Sequence, residues 1–95
     1  MTKTEIYNKM KQAQYRADIE SLRFKIWALE ADDVRDKADY SRIAEREANE
    51  AMGIFKASHS LLGDYKGEMN EETHALWEKY RDKLKQHWEL SGEEA

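Results

Sequence analysis

Residues 28–42 read ALEADDVRDKADYSR, with eight formally charged side chains and neither Gly nor Pro. Helical apolar spacing flanks the stretch on both sides. If the chain turns here, the fold is a compact helical bundle. If one helix continues through it, the fold is a rod.

The case for a rod is phase. From Ile6, steps of four and three pass through Met10, Ala13, Ala17, Glu20, Phe24, Trp27 and Ala31. They continue through Val34, Ala38, Ser41, Glu45, Ala48, Met52, Phe55, His59 and Leu62, and thirteen of these seventeen positions are hydrophobic. An unbroken heptad pattern of this length marks a coiled coil, and as one helix it would extend ~85 Å.

The case for a turn is local chemistry. A second apolar line, Tyr15, Ile19, Leu22, Ile26 and Leu29, ends where the acidic stretch begins. Asp32, Asp33, Asp36 and Asp39 follow within eight residues, and Asp is a poor interior helix former that favours caps. Asp33 can cap a new helix beginning at Val34. A short turn preserves heptad phase by chance about once in three or four cases. A helix of about sixty residues would also be far longer than usual. The turn is therefore the preferred expectation. The two apolar lines of the first helix lie on roughly opposite sides at about 100° per residue, so this helix is expected between two neighbours.

The rest of the chain offers few breakers: no Pro, and Gly only at 53, 63, 67 and 92. No strand alternation is present, and Glu, Lys, Ala, Arg and Leu abound, so the fold class is all-α. Helix one is expected to start near Thr4 as cap, with Glu5 just inside. In the second segment Ala44, Ala48, Ala51, Phe55 and Leu62 form one line, and Ile43, Ile54, Ala57 and Leu61 another. Its alanines invite close approach of another backbone. Gly53 is a weak point worth about 1 kcal/mol relative to Ala, and Gly63 is a stop. Asn70 caps helix three, Glu71 and Glu72 suit its positive end, and Gly92 ends it. The expected architecture is one domain, 1–95: an antiparallel three-helix bundle with coiled-coil-like packing, helices at 4–31, 34–62 and 70–91, and a frayed tail at 92–95. The alternative is one helix over 4–62 plus a C-terminal helix, forming a coiled-coil dimer.

At 38 % charged and 40 % hydrophobic, the chain can build only a thin core at this size, which favours association, a homodimer first. Its aromatic share of 11 % is too high for plain disorder. The absence of Cys removes disulfides, thiolate metal sites and thiol nucleophiles. No signal peptide or membrane span is recognisable, so a cytoplasmic protein without membrane contact is expected. Charge alternates in blocks. Residues 1–29 carry six bases against three acids, 30–52 eight acids against four bases, and 79–90 four bases against two acids. In an up-down-up bundle these blocks would neutralise one another end to end.

Catalytic chemistry finds little support. Glu71 and His74 have the E-x-x-H spacing of di-iron bundles, but no second pair exists; Glu20, Glu47 and Glu50 fall on apolar lines and are inward-facing carboxylate candidates to complete it. Ser58, His59 and Ser60 with Asp64 are helix neighbours that diverge, which is no triad geometry. His59, on the long heptad line, is expected at a core or interface, where it would make association pH-sensitive. No phosphate-binding loop is present. WEKYRDKLKQHW, 77–88, mixes aromatic and basic residues, but helical spacing segregates Trp77, Tyr80, Leu84 and Trp88 from Lys79, Arg81, Lys83 and Lys85. With a pI near 5.4, direct nucleic-acid binding is not expected.

What remains is a binding role. The expectation is a non-catalytic protein–protein interaction protein, an adaptor or inhibitor, without cofactor. Its contact band would be Tyr15, Ile19, Leu22 and Ile26, or Trp77, Tyr80 and Trp88, with Asp32, Asp33 and Asp36 in an acidic rim. No family motif is legible. In size, acidity and lack of Cys the chain resembles accessory proteins of phages and mobile elements. That resemblance implies, as an alternative, an inhibitor of a host nucleic-acid-processing machine acting by acidic mimicry. A carboxylate/His metal-binding bundle is the remaining alternative.

Overall fold

The chain turns at residues 31–33. In the computed structural model, which describes residues 1–92, three helices follow one another: α1 (Lys3–Glu30), α2 (Val34–Leu62) and α3 (Glu71–Ser91). Ala31 leaves α1 with extended dihedrals, φ −71° and ψ 137°. Asp33 caps α2, its carboxylate accepting the Arg35 backbone N–H at 2.7 Å. Lys37 reaches back, and its ammonium donates to the carbonyls of Ala28 at 3.0 Å and Leu29 at 3.4 Å. Those are carbonyls that the last turn of α1 leaves without partners. The longest dimension of the molecule is 48 Å, which excludes the rod.

The other helix ends are local as well. α1 starts earlier than expected: the cap is Thr2, not Thr4, and Thr2 and Glu5 form a reciprocal capping box. Asn70 caps α3 by accepting the Thr73 N–H at 2.8 Å. Gly63 (φ 60°) ends α2 and Gly92 (φ 76°) ends α3, both in dihedrals that side chains disfavour. The expected frayed tail beyond Gly92 lies outside the described residues. Among the described residues no helix is long and apolar enough to cross a membrane.

α1 is the middle of the bundle. α2 runs antiparallel to it, with Ser21 Oγ donating to the Ala44 carbonyl at 2.8 Å. Contact this close requires the small residues of α2, and Ala44 and Ala51 are 1 % and 3 % exposed. Residues 63–70 then cross beneath the start of α1. Tyr65 packs edge-on against Tyr7, and its hydroxyl hydrogen-bonds that of Thr4 at 2.6 Å. α3 returns up the other side of α1 and parallel to it: Thr73 hydrogen-bonds Asn8 and Tyr80 stacks on Tyr15, both 65 residues on. The two apolar lines of α1 thus serve two neighbours, as their opposed placement required. Among the described residues no Cα of α2 comes within 8 Å of a Cα of α3. The bundle therefore has an open seam along α1. The radius of gyration, 14.9 Å, exceeds the roughly 12 Å of a compact chain this long.

The heptad that ran through the turn does not stay inside. On α2 it faces outward: Val34 is 80 % exposed, Met52 54 % and Phe55 47 %, and Ala38, Ser41, Glu45 and His59 are exposed too. The line that meets α1 is instead Lys37, Tyr40, Ala44, Glu47, Ala51, Ile54 and Ser58, all buried or half-buried. The matching phase across the turn was coincidental. His59 is a surface residue, which removes the expected core role. The expected end-to-end neutralisation is not realised as ion pairs either. Among the described residues every ion pair closes within one helix, as in Arg23–Glu20 at 3.1 Å and Arg42–Asp39 at 2.8 Å.

Candidate partner-binding sites

The residues expected as alternative contact bands are mostly the two halves of a single internal interface. Ile19, Leu22 and Ile26 are buried in the core, and of the three Ile19 alone reaches a cleft wall. Their helix spacing put them on a face that α3 covers. Tyr15 and Tyr80 stack on each other, centroids 5.9 Å apart and planes within 18°. Burial raises both phenol pKa values, and the Asp18 carboxylate nearby adds to the effect in each. Trp77 is half-buried with the Arg81 guanidinium 5.1 Å from its ring centroid, a cation–π contact. Trp88 is half-buried.

The α1–α3 interface also holds a polar cluster that apolar periodicity does not mark. Thr73 is fully buried, and its hydroxyl lies 2.7 Å from Asn8 Oδ1 and 2.8 Å from Asn70 Oδ1, sharing one proton between them. Gln12 Nε2 donates to the same hydroxyl at 3.0 Å. Asn8 Oδ1 accepts the Asn70 N–H at 2.8 Å, and Asn8 Nδ2 donates to the Glu68 carbonyl at 2.9 Å. Asn8 and Gln12 continue the Tyr15–Ile26 line backwards in the same steps of four and three. That spacing was the available signal, hidden because polar residues occupy it.

The acidic stretch occupies the α1–α2 end of the bundle. Phe24, Trp27 and Tyr40 form an aromatic cluster there, with centroids 5.1, 5.8 and 6.1 Å apart. Trp27 remains 42 % exposed and lines a shallow cleft of about 350 Å³ with Glu30, Ala31, Asp36 and Tyr40. Asp32 and Asp33 stand at the turn and are exposed. Asp39 is paired with Arg42, and Asp33 is occupied as the helix cap. Among the described residues Glu30, Asp32 and Asp36 form no ion pair. The Lys37 ammonium is held by the α1 carbonyls and forms no ion pair with these acids. The aromatic anchor of this site is Trp27, a residue that its spacing places on the core line.

The open seam is a separate concave surface. Its floor is α1. On the α3 side a cleft of about 580 Å³ is lined by Arg16, Ile19, Glu20, Arg23, Leu76, Lys79, Asp82, Lys83 and Gln86. On the α2 side a smaller one of about 300 Å³ shares Arg16 and Glu20 and adds Ala13, Ala17, Glu47, Glu50 and Ile54. The carboxylates that spacing offers as metal ligands, Glu20, Glu47 and Glu50, therefore line this groove, whereas His74 is outside its lining, with Nδ1 3.4 Å from Glu78. Among the described residues no three His, Cys, Asp or Glu side chains are grouped to hold a metal ion. Comparisons with family models, with curated proteins and with solved structures find no match to this chain.

Proposed function

We propose that the protein is a non-catalytic adaptor or inhibitor that engages a protein partner through its α1–α2 end. The observation that carries this is Trp27, exposed in a cleft whose other walls include Glu30 and Asp36, with Asp32 beside it. Tryptophan is the residue type most enriched among interface anchors, and charges around such an anchor steer and orient the partner. The complementary partner surface is an apolar pocket ringed by Lys or Arg. The test is affinity capture from the native host, followed by direct titration of the purified partner. Trp27→Ala and the pair Glu30→Lys, Asp36→Lys should each weaken binding by roughly 30-fold or more, with helical content unchanged. Trp77→Ala on α3 should leave binding intact. Equal loss with Trp77→Ala would move the contact to α3.

A second reading, inhibition by acidic mimicry, is favoured by the clustering of Glu30, Asp32, Asp33 and Asp36 on one structured end. It differs in one outcome: nucleic acid would then compete for the same partner surface.

A further inference from the structure

The two walls of the seam carry opposite charges at the same heights. Ser21 lies against Ala44, so counting three residues down α1 and three on along α2 places Glu47 level with Asp18. The separation of 65 residues that relates α1 to α3 places Lys83 level with Asp18 too. By the same count Glu50 is level with Tyr15 and so with Tyr80, next to Lys79, while Ile54 and Leu76 are both level with Lys11. The α2 wall thus presents Glu47, Glu50 and Ile54, and the α3 wall presents Lys83, Lys79 and Leu76 in the matching order, with Asp82 between the two lysines leaving that wall net basic.

We propose that this face binds a second copy of the chain, across a twofold axis parallel to the helices. Such an axis keeps heights unchanged and exchanges left for right. It sets the α2 wall of one copy on the α3 wall of the other, twice over: Glu47 on Lys83, Glu50 on Lys79, Ile54 on Leu76. A twofold axis perpendicular to the helices within the seam plane would set α2 on α2, with its acids opposed, and the charge pattern disfavours it. A helix from an unrelated protein would need one acidic and one basic flank to fit. A second copy carries the complement on its walls already, while Arg16, Glu20 and Arg23 on the recessed floor face their own copies. The thin core supplies the need for association. The seam linings share no residue with the Trp27 cleft, so charge reversal on α2 and α3 tests dimerisation apart from partner capture.

The test is mass by light scattering or sedimentation across a concentration series at low and high salt, on four samples of the full chain. Wild type should be dimeric, and less so at high salt. Glu47→Lys with Glu50→Lys should be monomeric, as should Lys79→Glu with Lys83→Glu, because each variant opposes like charges twice. Mixing the two variants should restore a dimer, since every pair is then complementary. The restored mixture also shows that both variants are folded. A wild type that is monomeric at high concentration overturns the proposal. So does a dimer that survives both variants, or one that tightens with Glu47→Lys and Glu50→Lys, or a mixture that stays monomeric.

Discussion

Asp18 is half-buried on α1 within electrostatic reach of Tyr15 and Tyr80, and burial raises its carboxyl pKa above the ordinary value of 3.8, while Gln14, Lys25 and Lys11 oppose the rise. The native state therefore binds this proton more tightly than the unfolded chain does. The resulting stabilisation is complete below pH 3.8 and is lost as pH rises through the raised native value. At neutral pH the ionised carboxylate is a liability. Asp18→Asn should stabilise the fold at pH 7, and the advantage should close as pH falls below 3.8. Urea unfolding of variant and wild type at a series of pH values checks this. A pH-independent gain would mean that the amide acts through packing rather than through charge.

At the scale of the element, α2 carries polar residues on its inward line and large apolar ones on its outward line. Its inward line includes Lys37, Glu47 and Ser58, and its outward line includes Val34, Met52 and Phe55. Alanine explains the inversion. Ala44 and Ala51 let α2 settle against Ser21 and its neighbours, while Lys37 and Glu47 can lay aliphatic stems along the interface and keep their heads at its edge. Hydrophobic spacing ranks residues by size and polarity, so it favoured the line with the larger apolar residues. Gly53 sits in this helix with ordinary negative φ, exposed, and with nothing within 4 Å of where a Cβ would stand. Gly53→Ala should therefore stabilise by about 0.5–1 kcal/mol. Thermal unfolding should show a rise in Tm of a few degrees. No rise would indicate that the outward face is already covered at that position.

At the scale of the molecule, α1 is held from two sides, whereas among the described residues α3 packs on no helix but α1 and buries only Thr73 completely. α3 should accordingly open before the α1–α2 hairpin. Native-state hydrogen exchange is expected to show α3 amides exchanging through an opening of lower free energy than the centre of α1. Asn8→Ala removes the bonds to Asn70, Thr73 and Glu68 that tie α3 and its preceding loop to α1. It should lower the α3 opening energy by about 1–3 kcal/mol and spare amides facing the hairpin. Uniform loss of protection across all three helices would show instead that the bundle opens as one unit.

The sequence by itself determined the helical class, the helix ends and the two-sided character of α1. Asp33, Gly63, Asn70 and Gly92 act on backbone groups no more than a turn away, so nearby residues suffice to read them. The start of α1 is the exception: the sequence reading places the cap at Thr4, although Thr2 and Glu5 have the capping-box spacing. The acidic corner was legible as a structured charge cluster, but its aromatic anchor was not, because Trp27 shares its spacing with core residues. Tertiary structure alone decided which line of α2 faces inward, which aromatics α3 consumes, and that α2 and α3 stand apart across a seam. It also built the Asn8–Gln12–Asn70–Thr73 cluster, whose cross-helix bonds join residues 58 to 65 positions apart. Such choices depend on how closely whole helices can approach and which polar groups then find partners, and no local spacing encodes either.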